Sequence, residues 1–158
     1  MAERLSNGFV NGVNITGSVK TLMTNGIIHI YTGSQPVDAD AAETGDLIAI
    51  ITLASGAFTP GSATNGINLA ATSTGGVISK ASGEVWSGVG TALAGAGKVA
   101  GWFRWYGNAR ILGASTTGVR LDGAIGTTVS YELQLSNTTI ATGSPVTISV
   151  FDYTTPKS

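Results

Sequence analysis

The residue types that could carry chemistry gather in residues 98–122, KVAGWFRWYGNARILGASTTGVRLD. This stretch holds Trp102 and Trp105, with Phe103 and Tyr106 beside them and Arg104, Arg110 and Arg120 interleaved. An arginine among aromatic rings can bind by stacking, a contact worth about 0.5–2 kcal/mol. It can also lay its stem over a ring while its head reaches water, which is the commoner use. Arg104 is therefore not read as a ligand-binding group. Trp, Tyr and Arg together are the usual hot spots of protein–protein interfaces. The set Trp102, Arg104 and Tyr106 is accordingly a candidate protein–protein contact.

The other chemical signals are weak. His29 is the sole histidine, and a lone strand histidine beside a tyrosine lacks the partners that a triad or metal site needs. Asp38, Asp40, Glu43 and Asp46 offer hard oxygen ligands, but their spacing does not match a calcium loop and the central glycine is missing. A solvated acidic loop is the expectation there. No glycine-rich phosphate cradle occurs. The glycosylation sequons at Asn14 and Asn137 carry no weight without a signal peptide. No catalytic residues, cofactor or metal are expected, and the chain is not read as an enzyme.

The elements that must position these residues follow from composition. The chain has 158 residues, 23 of them glycine, and only 11% are charged, less than half the usual share. The polar remainder is Thr, Ser and Asn, which with many glycines suits short strands and tight turns. A weakly charged surface suggests cover by partner subunits. The net charge of −1 and scattered cations give no reason to expect nucleic acid or an anionic membrane as a partner. Cysteine is absent, so no disulfide framework exists. The start, MAERLSNGFV, lacks the apolar core of a signal peptide, and the run at 47–54 is too short to span a bilayer. Folding in a cytoplasm is expected.

Residues 1–17 read as an arm carrying Phe9, Val10, Val13 and Ile15 to a neighbour, because disordered tails rarely hold so many apolar residues. Residues 18–158 form the domain. Ser18 caps a short helix with Val19, Leu22 and Met23 on one face, stopped by Asn25 and Gly26. Strands are predicted at Ile27–Thr32, 46–53, 67–70, 84–86, Lys98–Tyr106, 119–121, 131–135 and 145–153, with shorter pieces at Val77–Ser79 and near Ile140. Residues 87–97 read as a Gly/Ala loop, and Phe58 as an anchor in the loop at 54–66. On the strand Lys98–Tyr106, Trp102, Arg104 and Tyr106 share one face, and Phe103 and Trp105 share the other. The sum is a single-domain, all-β, antiparallel β-sandwich or jelly roll of about eight to ten short strands.

The segments IIHIYTGSQP (27–36), DADAAETG (38–45) and LIAIIT (47–52) resemble a family of small virion proteins of tailed bacteriophages. The resemblance continues, in order, at AGWFR (100–104), LDGAIGT (121–127) and NTTIATGSPV (137–146), and includes LSNG (5–8). Residues 106–112 and 129–133 depart from the pattern. The resemblance implies a virion structural protein, best a capsid decoration or cement protein. Its partners would be the major capsid protein and itself, as a homodimer or homotrimer on the capsid exterior. A tail, neck or baseplate protein is the alternative. The residues alone also allow a carbohydrate-binding sandwich with Trp102 or Trp105 as sugar platform.

Overall fold

The two longest β-branched and aromatic runs form neighbouring strands in the middle of the fold. The computed structural model describes residues 3–155. In chain order the elements are β1 (Arg4–Leu5), α1 (Asn7–Ile15), α2 (Val19–Met23), β2 (Ile27–Thr32), β3 (Leu47–Leu53), β4 (Val77–Ser79), β5 (Trp86–Val89), a 3-10 turn (Ala92–Ala94), β6 (Lys98–Tyr106), β7 (Arg120–Gly126), β8 (Leu133–Gln134), β9 (Thr139–Ile140), β10 (Pro145–Ile148) and β11 (Asp152–Thr154). One nine-stranded sheet runs β1-β7-β6-β2-β3-β5-β10, with β8 added to β7 and β9 to β6. β4 and β11 make a second, two-stranded sheet. The chain is all-β, as expected, and its pairings are antiparallel except for β7 with β8.

Period two gives β6 its two faces. Phe103 pairs with Ile30, and Trp105 with Ile28 and Leu121, so these side chains share the inner face. The small sheet and its approach cover them. Phe151 meets Trp105 edge-on at 5.1 Å and Phe103 at 6.0 Å, and Trp86 meets Trp105 at 5.0 Å. Each such ring, fully buried, contributes about 1.5–3 kcal/mol by loss of apolar surface, and the edge-on pairs about 0.5–1.5 kcal/mol more.

Some elements differ from the sequence expectation. The expected strand at 145–153 is two strands, because Phe151 turns into the core while Val150 is left 60% exposed. Part of the expected Gly/Ala loop at 87–97 is β5, where a side chain at Gly88 would put its Cβ 1.8 Å from the Ile50 carbonyl oxygen. Its glycines permit close strand approach rather than looseness. Residues 67–70 make only isolated bridges, Gly26 to Ile67 and Leu69 to Lys80.

The arm expected over residues 1–17 is corrected. Residues 1–2 lie outside the described residues, and α1 occupies 7–15. Ser6 is fully buried and starts α1. Its hydroxyl accepts from the Phe9 and Arg120 amides at 3.1 and 3.0 Å and donates to the Gly118 carbonyl at 2.7 Å. Gly8 and Gly12 let the helix lie close. A Cβ at Gly8 would stand 2.4 Å from the Thr117 carbonyl oxygen, and one at Gly12 2.7 Å from Leu22. Phe9 is thereby buried in this chain's own core beside Tyr153, while Val10, Val13 and Ile15 stay exposed.

Urea unfolding should separate the two pictures. Phe9→Ala is expected to cost about 3–5 kcal/mol and Ser6→Ala at least about 1 kcal/mol, with Val13→Ala within about 0.5 kcal/mol of wild type. A free arm would make all three silent.

Candidate functional site

Strand register builds a polar row across the outer face of the large sheet. His29 pairs with Arg104, Arg104 with Asp122, and Asp122 with Arg4. Tyr31 beside Trp102 and Tyr106 beside Arg120 extend it. Arg104 donates from Nε and Nη2 to the two carboxylate oxygens of Asp122, both at 2.7 Å. It also donates from Nη1 to the Ala41 carbonyl at 2.9 Å and lies 3.3 Å from Glu43. Its guanidinium sits 5.4 Å from the Trp102 ring and 6.0 Å from that of Tyr106.

Two loops are fastened over this row. Glu43 reaches in from residues 33–46, accepting from the Tyr106 hydroxyl at 2.5 Å and from the Gly113 amide at 3.0 Å. Arg120 donates to the carbonyls of Ala39, Ile111 and Gly113 at 3.2, 2.7 and 2.6 Å. Trp102 stacks on Tyr31 at 4.6 Å and donates to the Thr44 carbonyl at 3.2 Å. The acidic loop is therefore not simply solvated. Glu43 is turned inward, Asp46 pairs with Lys98 at 2.8 Å, Asp40 accepts from the Asn7 amide, and Asp38 accepts from the Asp40 and Ala41 amides. Among the described residues no three His, Cys, Asp or Glu side chains gather to hold a metal.

Trp102, Arg104 and Tyr106 are each 0% exposed. They share a face, as period two predicts, but the chain's own loops cover it. The partner contact expected of them is corrected: these side chains are internal ties, as is Phe9. Of the expected contact residues, Val10, Val13 and Ile15 remain at the surface.

Electrostatics follows burial. His29 donates or accepts at Nδ1 with the Tyr31 hydroxyl, 3.2 Å away, which in turn lies 3.3 Å from the Tyr106 hydroxyl. Burial, with Arg110 nearby, lowers His29 to about 4. Burial pushes Tyr31 up to about 12 and Tyr106 up further, helped by its neighbours Tyr31 and Glu43. Burial would lower Arg104, but the bonds and charge of Asp122 overcome it and hold the guanidinium charged. Burial likewise opposes ionisation of Glu43, and the Tyr106 hydroxyl, the backbone amides and Arg104 reverse that. The histidine and both tyrosines of this row stay neutral near pH 7.

A second feature had only a faint sequence signal, the Phe58 anchor. A groove of about 330 Å³ opens on the same outer face, beside the polar row, lined by Ile27, Ile50, Thr52, Phe58, Val89 and Arg110 among others. The Arg110 guanidinium lies 5.7 Å from the Phe58 ring, and its Nε is buried without a hydrogen-bond partner. Arg110 also takes φ +44°, and Ser55, which lines the groove too, takes +58°. Non-glycine residues hold such angles only where the surrounding fold enforces them.

No protein-family profile, curated protein or solved structure matches the chain.

Two measurements test the polar row. Asp122→Asn should cost about 3–5 kcal/mol in urea unfolding, since it strands a buried guanidinium. Replacing both partners, Arg104→Met with Asp122→Leu, should recover much of that loss. For His29, the native state resists protonation until about pH 4 while the unfolded chain protonates near 6.5. Stability should therefore fall as pH drops from 6.5 to 4, by at most about 3 kcal/mol from this group. His29→Gln should remove that component; an unchanged pH slope would refute it.

Proposed function

We propose that this chain is a structural protein of a tailed-bacteriophage particle, best a capsid decoration protein that grips the major capsid protein on the outer surface and performs no catalysis. The observation that carries the reading is how the chain spends its polar residues. The one dense chemical cluster is buried, keeps its histidine and tyrosines neutral, and ties two long loops to a sheet. That yields a rigid scaffold. Its most exposed apolar residues sit on loops and at the end of α1: Ile15 (85%), Val37 (86%) and Val129 (91%). Cementing needs such a scaffold and contact area repeated by symmetry. A modest contact per subunit is multiplied over a shell through effective concentration. The resemblance of residues 27–52, 100–104, 121–127 and 137–146 to small phage virion proteins supports the same reading.

A tail, neck or baseplate role rests on the same resemblance. The carbohydrate-binding reading loses its platform, because Trp86, Trp102 and Trp105 are all 0% exposed. Purified protein mixed with expanded capsids that lack it should bind saturably, at symmetry-related positions seen by cryo-microscopy. Absence of binding would sink the decoration role, and density on the tail or neck instead would establish the alternative.

A further inference from the structure

The groove beside the polar row has a charge but nothing to answer it. Arg110 makes no side-chain hydrogen bond or ion pair among the described residues; its guanidinium lies beside the Phe58 ring, with His29 nearby. The floor is apolar, with Ile27 and Ile50 beneath and Val89 at one side. Thr52 and Thr91 already donate their hydroxyl protons, to the Gly56 and Leu47 carbonyls, leaving Arg110 as the groove's charged donor. Ser55 and Arg110, on two of its walls, are held at positive φ by the surrounding fold. An occupant must therefore bring a carboxylate with a small apolar group next to it.

This chain displays such a pair. Val37 is 86% exposed at the tip of the acidic loop, and Asp38 follows it, also exposed. Asp38 uses Oδ1 to close its own turn, accepting from the Asp40 and Ala41 amides at 2.9 Å, while Oδ2 accepts no hydrogen bond among the described residues. The same loop is locked down through Ala39, Ala41 and Glu43, which presents the pair rigidly. Loop and groove both lie on the outer side of the large sheet, and within one chain Asp38 does not reach Arg110.

We infer that the groove receives the Val37–Asp38 tip of a second copy of this chain, with Asp38 Oδ2 on the Arg110 guanidinium and Val37 against Phe58 and Ile50. Used reciprocally, the contact makes a two-fold dimer; used head to tail, it builds a ring or an open filament. It is independent of the particle reading, because it is tested on purified protein alone.

Analytical ultracentrifugation of the full chain is the test, at concentrations up to about 0.2 mM and at low and high salt, where a millimolar or tighter contact registers. Wild type should self-associate, less so at high salt. Arg110→Gln and Asp38→Asn should each weaken association about tenfold or more, as loss of a close charge pair does. Asp38→Asn keeps the turn bonds of Oδ1, so it separates loss of charge from loss of loop shape. The double variant Arg110→Gln with Asp38→Asn should associate no more weakly than either single variant, since both remove the same charge pair. Asp152→Asn, which neutralises another exposed acid, should change nothing. A wild type that stays monomeric overturns the proposal. So do neutralising variants, with unchanged circular dichroism, that associate like wild type, or association that responds to Asp152 rather than Asp38. Particle binding by a monomeric protein would overturn this contact and leave the decoration role standing.

Discussion

A buried guanidinium must have its charge answered, and Arg104 dictates much of this molecule by that demand. Taking an arginine and an aspartate out of water costs several kcal/mol per ion. The bidentate bond to Asp122 offsets that only while β6 and β7 hold their register, because a slip of one residue would turn Asp122 to the apolar face. The remaining donors then require carbonyls and a second carboxylate. The loop carrying Ala41 and Glu43 supplies them, and Gly113 on a second loop anchors Glu43 in turn. One ionic pair thus fixes a register and two loop conformations together.

The two sides of the large sheet are built on different physics. On the inner side, Trp86, Phe103, Trp105 and Phe151 interlock without a polar partner for every ring, and the Trp105 indole nitrogen goes unbonded. On the outer side, among the described residues, no sheet covers the strands. Irregular backbone does, and irregular backbone carries carbonyls and amides that need partners. Arg104 and Arg120, each with several donors, are well suited to satisfy it. The low overall charge fits this picture, since much of the chain's charge is held inside or against its own loops.

Much of the fold was legible because it depends on local pattern. The runs at 27–32 and 98–106 alternate with period two, and both strands and the division of β6 into two faces follow directly. Ser18 announced α2 through its cap. What failed needed long-range knowledge. Trp102, Arg104 and Tyr106 looked like a surface cluster because Asp122 and Glu43, their partners, are distant in sequence. α1 was hidden by Gly8 and Gly12, which lower helix propensity yet serve close packing against Thr117 and Leu22. β5 was hidden the same way by Gly88. The Arg110 groove left only the Phe58 anchor as a signal, being assembled from β2, β3, β5 and three loops.

Ser6 ties the beginning of the chain to Gly118 and Arg120, 112 and 114 residues later. While the polypeptide is being synthesised, α1 therefore has no place to dock until residues 118–120 have emerged. Phe9 must wait longer still, since Tyr153 closes its pocket. Contacts this distant in sequence slow folding, because loop closure comes before any gain in burial. Residues 6–15 thus wait undocked while the strands that receive them are made, and their asparagines and glycines suit that interval better than a greasier helix would.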